Sequence, residues 1–274
     1  MVNLAALPER GVIVVEGEDR VSFLQGLVSN DVTAVKPGGD GPGEAVWAAL
    51  LTPQGKWLAD FFILTDGERL LLDVEAEQAA MLVQRLSRFR LRAKVTVRVD
   101  ESLRVFVAWG GVPDTAGLIA RDPRLPGAGW RILSVDPLPT TTDAAAWNRH
   151  RLSLGLPDGS RDLEADKSVL LEAGFDELSG VSWTKGCYMG QELTARTKYR
   201  GLLKRRLIPV EVDGDLPPWG APVLRGDGQE VGTMRSGVGR TALAALRLDA
   251  LSAPMTANGV TITPRIPDWM KLPD

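Results

Sequence analysis

The sequence predicts an α+β fold that ends in a separate all-β unit. Three observations carry this reading. Apolar runs of strand length, joined by tight turns, fill residues 45–74. Segments of helical period lie on either side of them, at 17–32 and 75–87. After Lys204 the texture changes to short strands separated by Gly/Asp turns. A chain of 274 residues with 44 % hydrophobic content can bury a sizeable core, as one large domain or as two to three small ones.

In chain order, GVIVV at 11–15 reads as a short buried strand. GEDRVSFLQGLVSNDV then changes period: Val21, Leu24 and Leu27/Val28 recur at helical spacing, with Asp19 available as a cap. PGGDGPG at 37–43 is a loop by composition. AVWAALLTP, WLADFFILT and LLLDV follow as three strands, joined by turns at QGK and TDGER. In EAEQAAMLVQRLS, residues Ala79, Leu82, Val83 and Leu86 share one helical face.

RFRLRAKVTVRV at 88–99 alternates strictly. Phe89, Leu91, Ala93, Val95, Val97 and Val99 point one way, and Arg88, Arg90, Arg92, Lys94 and Arg98 the other. That pattern predicts a half-buried strand with a basic face. SLRVFVAWG is a further strand, and a Pro/Gly-rich piece runs to Pro139. Residues 142–154 restart a helix with Trp147, Arg151 and Leu154. RRLIPVEV, APVLRGDGQEVGTMRSGV, TALAALRL and GVTITPRI then suggest a small barrel or sandwich.

Composition narrows the function classes. The formal net charge of −3 does not suggest a nucleic-acid or membrane binder. No run of about 18 apolar residues exists to form a transmembrane helix, and the N-terminus lacks a signal-peptide pattern. The single cysteine excludes an internal disulfide and fits a reducing cytoplasm, so a cytoplasmic location is expected. Cys187 and the single histidine, His150, cannot build a zinc site unaided, and their separation argues against a Cys–His nucleophile. No Walker loop or GxGxxG stands at a strand-to-helix turn, and no long-period repeat is found.

Three features could carry chemistry. The first is KGCYMGQE at 185–192. Gly186 and Gly190 can adopt backbone conformations closed to other residues, and Lys185 is a cation two residues from the thiol. The alternative is a buried structural cysteine. The second is Glu172, a carboxylate after Leu170 and Leu171. If partly buried it needs hydrogen-bond donors, which a planar heterocycle such as a pterin would supply. The alternative is an ordinary helix-surface glutamate. The third is RTKYRGLLKRR at 196–206, with six basic residues and no acid. It is either a solvated face or an anion-steering patch that would attract a polyglutamylated cofactor tail or an RNA backbone. Among the tryptophans, Trp183 is a candidate for lining a site.

KGCYMGQELTAR resembles the signature of the YgfZ-type folate-binding family, which is related to the glycine-cleavage T-protein, an aminomethyltransferase. GEDRVSFLQGLVSNDV, QGKWLADFFI, RFRLRAKV, the run from GLPDGS through LLEAGFDELSGVSWTKGCYMGQE, and GAPVLRGDGQEVGTMRSG are each similar to further parts of that family. The resemblance implies three domains in a ring around a folate-admitting opening. These would be a discontinuous folate-binding domain at 1–46 with 138–203, an inserted ferredoxin-like α+β unit at 47–137, and a C-terminal β-barrel at 204–274.

By the same resemblance the protein would bind tetrahydrofolate or a one-carbon derivative. It would support assembly or repair of iron–sulfur enzymes, acting on iron–sulfur client or assembly proteins, and would affect tRNA modification only indirectly. Glu172 would meet the pterin, and Cys187 would be the functional thiol. Lys185, Gln191, Glu192 and Arg196 would form or support its loop, and Gln25 and Asp31 belong to the N-terminal signature. One departure separates the relatives. Where the aminomethyltransferases carry a catalytic aspartate, LDVEAEQAAM places Ala80, with Glu77 the nearest acid. Glycine-cleavage activity is therefore disfavoured, although a folate-dependent one-carbon transfer on another donor stays open. Direct nucleic-acid binding is disfavoured by the acidic total charge.

Overall fold

Residues Trp57–Thr65 are buried at every position, so this strand must be covered on both faces. A computed structural model, which describes residues 1–39 and 41–273, shows how. In chain order the elements are β1 (Asn3–Ala6), β2 (Arg10–Glu16), α1 (Arg20–Gln25), β3 (Gly43–Glu44), β4 (Val46–Leu51), β5 (Trp57–Thr65), β6 (Leu70–Glu75), α2 (Ala76–Arg88), β7 (Thr96–Val99), β8 (Arg104–Trp109), β9 (Leu118–Arg121), β10 (Trp130–Ser134), α3 (Ala144–Ser153) and α4 (Gln191–Tyr199). The C-terminal strands are β11 (Arg205–Asp213), β12 (Pro222–Arg225), β13 (Glu230–Val238), β14 (Thr241–Arg247), β15 (Met255–Ala257) and β16 (Val260–Pro264).

One sheet runs β1-β8-β10-β9-β3 and the other β4-β5-β6-β2-β7, while β11-β14-β13-β12-β15-β16 close into a barrel. The two sheets pack face to face. Ala5, Val107 and Leu133 of the first meet Val14, Trp47 and Phe62 of the second in one core cluster. On the other face of the second sheet, Ala59, Phe61 and Ile63 of β5 pack with Phe23 and Leu24 of α1 and with Leu82 and Leu86 of α2. Alternate residues of β5 thus feed two cores, which is why no position is left to water. Trp47 stacks on Phe175 with ring centroids 3.9 Å apart, and its indole N–H donates to the buried carboxylate of Asp60 at 2.9 Å. Trp57 donates to the other Asp60 oxygen at 3.0 Å.

The sheets are also joined by charge. Asp73 on β6 accepts from Arg10 Nε at 2.6 Å and from Arg131 Nη2, on β10 of the facing sheet, at 2.5 Å. The Arg131 guanidinium lies over the Phe62 ring, 4.1 Å from its centroid. Burial of so many charges is tolerated because each has a partner.

The structure corrects three sequence readings. The basic strand is short. α2 continues to Arg88, a turn carries residues 89–95, and only Thr96–Val99 pairs, against β2. The helix-to-strand reversal takes up half of the alternating run, so Leu91 is 91 % exposed with φ 43. Asp19 does not cap α1 with its side chain; it accepts from the Lys94 backbone N–H at 2.8 Å and anchors that turn instead. The sheets do not divide at residue 46: β2 pairs with β6 and β7, and β1 pairs with β8, so strands from residues 1–46 complete both sheets. Of the loop expected at 37–43, Asp40 lies outside the described residues. The barrel begins at Arg205, and Met270 of the C-terminal tail returns into its core.

Candidate functional site

The site is assembled around the loop that leads into α4. The hairpin between β4 and β5 turns at residues 52–56 and lies against Gly190, the residue before α4. Gly190 has φ +79, and a Cβ there would fall 2.4 Å from the Thr52 carbonyl oxygen. A Cβ on Gly55, φ +83, would fall 2.6 Å from the Gly190 oxygen. Only glycine permits both the left-handed backbone and this contact. Gly186 has φ +92 but open space around it, so its role is conformational alone.

Lys185 does not turn to the thiol. Its Nζ donates to the carbonyl oxygens of Val28 at 2.6 Å and Asn30 at 2.9 Å, which ties the loop to the segment after α1. Burial pushes the ammonium down to about 8, against the attraction of Asp31. Asp31 accepts from Thr33 Oγ1 at 2.6 Å, Thr33 N at 3.0 Å and Gln25 Nε2 at 2.9 Å. These bonds, led by the Thr33 hydroxyl, hold its carboxyl below the usual range. Gln25 Oε1 accepts from Val32 N at 2.8 Å. Gln25, Asp31 and Lys185 therefore form one polar knot, and each residue in it holds backbone. Met189 N donates to the Gly26 oxygen at 3.1 Å, the second tie between loop and α1.

Within the loop, Gln191 Oε1 accepts from Tyr188 N at 3.1 Å, closing the turn before α4. Glu192 is exposed in the first turn of α4 and Arg196 exposed in its last, placements that suit the helix dipole. Cys187 is exposed and not a core cysteine. Trp183 is partly exposed. It donates from Nε1 to Asp176 Oδ1 at 2.8 Å and meets Tyr199 of α4 edge-on at 6.0 Å. With Lys198 Nζ 5.5 Å from its ring, it braces α4.

Glu172 lies elsewhere, on the 3-10 turn Leu170–Ala173. It is half-buried, and its carboxylate accepts no hydrogen bond from the described residues. Burial pushes its pKa up, against Lys56 and Arg205. It faces a cleft of about 190 Å³ between this turn and the barrel, lined also by Glu164, Lys167, Arg205, Arg206 and Arg235. A ligand offering N–H donors would satisfy the free carboxylate, with cations nearby for an acceptor edge.

No group of three or more His, Cys, Asp or Glu able to hold a metal occurs among the described residues. Ala80 is exposed on α2, and Glu77 is exposed in the first turn of that helix. Sequence reading missed Ser29 and Asn30. Ser29 Oγ donates to the Gly180 oxygen at 2.7 Å, and Asn30 Nδ2 bridges the Trp47 and Ser179 oxygens at 2.7 Å each. Their signal was the polar triplet SND directly behind an apolar helix face.

Comparison with known proteins adds three findings. Residues 204–272 match the family model described as CAF17, C-terminal beta-barrel domain. The human mitochondrial iron–sulfur cluster assembly factor IBA57 is 33 % identical over 298 residues, covering 96 % of this chain and 84 % of the human protein. The mitochondrial homologue from Mycosarcoma maydis is 38 % identical over 238 residues, covering 79 % and 59 %. The crystal structure of the glycine cleavage system aminomethyltransferase T from Bartonella henselae superposes with a TM-score of 0.73 at 16 % identity, covering 98 % of this chain and 86 % of that one. The fold is thus of the T-protein type with its C-terminal barrel. The cytoplasmic expectation does not stand, because these relatives are named as mitochondrial proteins. A single cysteine cannot form an internal disulfide in any compartment, so it does not choose between them.

Proposed function

Because the chain belongs to the IBA57 family of iron–sulfur cluster assembly factors, we propose that it serves iron–sulfur assembly by coupling a folate-binding cleft at Glu172 to an exposed thiol at Cys187. The role in iron–sulfur assembly follows from membership. One observation supports the folate reading: Glu172 is a half-buried carboxylate without a hydrogen-bond donor among the described residues, facing a cleft of about 190 Å³.

In this reading Glu172 accepts the N–H donors of a tetrahydrofolate pterin ring. Arg205 and Lys167, cations lining the same cleft, would meet its acceptor edge or its carboxylate tail. Bound tetrahydrofolate would supply one-carbon or reducing chemistry at its N5/N10 edge. Cys187 presents one thiol to an iron–sulfur cluster as cargo. A partner protein would furnish the remaining ligands, since this chain has one cysteine. Gln25, Asp31, Lys185 and Gln191 hold the loop that presents the thiol, while Glu192, Arg196 and Trp183 belong to α4 and its bracing. An effect on tRNA modification would pass through iron–sulfur methylthiotransferases. Aminomethyl transfer of the glycine-cleavage kind is not expected, because the resemblance puts Ala80 where the aminomethyltransferases would carry their catalytic aspartate.

The deciding experiment titrates the purified protein with tetrahydrofolate, for wild type and Glu172→Ala, beside complementation of a deletion strain by Cys187→Ser. Saturable binding lost in Glu172→Ala, with no rescue by Cys187→Ser, is the expected result. Absence of binding by the wild type rejects the cleft, and full rescue by Cys187→Ser rejects the thiol.

A further inference from the structure

A second cleft, of about 510 Å³, opens on the other side of Arg206, between the C-terminal tail, α4 and the turn before it. Leu171, Glu177, Lys198, Arg206, Trp269 and Lys271 line it. At its base is an unusual ion pair. Arg206 is 2 % exposed and donates from Nη1 to Glu177 Oε1 at 2.8 Å. Its Nε and Nη2, and the second carboxylate oxygen of Glu177, are sealed from solvent without any partner among the described residues.

Buried orphan groups are costly, and these three are complementary to one kind of molecule. Nε–H and Nη2–H form the side-on fork that takes a carboxylate with two parallel bonds. Glu177 Oε2 is an acceptor that calls for a cationic N–H beside it. Lys198 is already paired with Asp176. The Trp269 and Leu171 side chains supply an apolar wall.

We propose that this cleft binds a free α-amino acid, with its carboxylate on the Nε/Nη2 edge of Arg206 and its ammonium on Glu177 Oε2. The side chain would lie along Trp269. Entry requires displacement of the tail, which holds Glu177 through a long bond of 3.3 Å from the Lys271 backbone N–H. Arg206 also lines the Glu172 cleft, but amino-acid binding does not require that folate occupy it.

The test is a titration of the full chain with L-leucine, L-phenylalanine and glycine, followed by NMR of the Arg206 side-chain N–H signals and by melting temperature. Acetate and methylammonium serve as half-ligands. An amino acid is expected to bind at least about tenfold more tightly than either half-ligand, with the Arg206 signals moving. Arg206→Lys keeps the charge but not the fork, and should weaken binding by about tenfold or more; Glu177→Gln should do likewise. Should either variant fail to fold, the half-ligand comparison in the wild type still decides. No binding at ~10 mM overturns the proposal. So does acetate binding as tightly as the amino acids, or an Arg206→Lys variant that binds unchanged.

Discussion

Lys185 donates to the Val28 carbonyl oxygen at 2.6 Å, so the cation beside the exposed thiol is committed to fastening its loop. The bond spans 157 residues of chain. It makes Lys185 a structural clamp whose loss moves the cysteine without touching it.

Lys185→Met should therefore cost roughly 1–3 kcal/mol, because it leaves two partly buried carbonyls without their donor. It should also change the pH dependence. Lys185 is depressed from 10.5 to about 8. Between those values the unfolded chain holds the proton more tightly, so stability rises as pH rises through this window. Denaturant unfolding from pH 7 to pH 10.5 should show a rising contribution that Lys185→Met lacks. Identical profiles would reject the assignment.

Asp60 gives a slope of opposite sign. Burial pushes its carboxyl up from 3.8 to about 6, although the Trp47 N–H favours the charged form. The native state binds the extra proton between those values, so this group's contribution to stability falls as pH rises from about 4 to about 6. Asp158, held at about 2 mainly by Arg151 against burial, contributes stability that is lost only as pH falls below 4 towards 2. Asp60→Asn should remove the falling limb while weakening one of the two indole bonds. The check is chemical denaturation at pH 4, 5 and 6 for both proteins.

The glycines of the octet should separate under substitution. Gly190→Ala meets both a left-handed φ and a backbone oxygen at 2.4 Å, and Gly186→Ala meets only the φ of +92. Gly186→Ala should cost about 1–2 kcal/mol. Gly190→Ala should cost distinctly more and loosen the contact between the β4–β5 hairpin and α4, read as faster amide exchange in both.

Glu172→Ala and Cys187→Ser should leave the fold intact. Replacing an unpartnered half-buried carboxylate removes a charge whose pKa burial raises, so Glu172→Ala should hold or gain stability at pH 7 while tetrahydrofolate binding is lost. Cys187→Ser, at an exposed position, should stay within about 0.5 kcal/mol of wild type yet fail in complementation. A large loss of stability in either would make that residue structural.

Much of this was legible because the relevant signals are local. The period of Ala79, Leu82 and Leu86 fixed α2, and the apolar runs around QGK and TDGER fixed β4 to β6. The strand expected at 88–99 failed because alternation cannot show where a preceding helix stops; α2 consumed Arg88 and the reversal consumed the next residues. In the candidate site, Glu172 was singled out by its apolar setting, and the structure leaves it half-buried beside a cleft. Lys185 was noted as a cation near the thiol, but adjacency in sequence said nothing of its bonds to Val28 and Asn30. The Arg206–Glu177 pair was invisible, since the six cations of its segment look alike until the barrel buries one.

The split between β1 and β2 bears on how the chain is made. Asn3 pairs with Trp109, while Ile13 lies between Leu72 and Val99, so the two earliest strands join different sheets; β1 finds its neighbour only after about 100 residues have been synthesised, and β2 has one neighbour earlier but its second only then. A nascent chain cannot complete either sheet before then. Its exposed early strand edges are a point at which a holding chaperone would act, and removing the first sixteen residues would leave both sheets with an open flank.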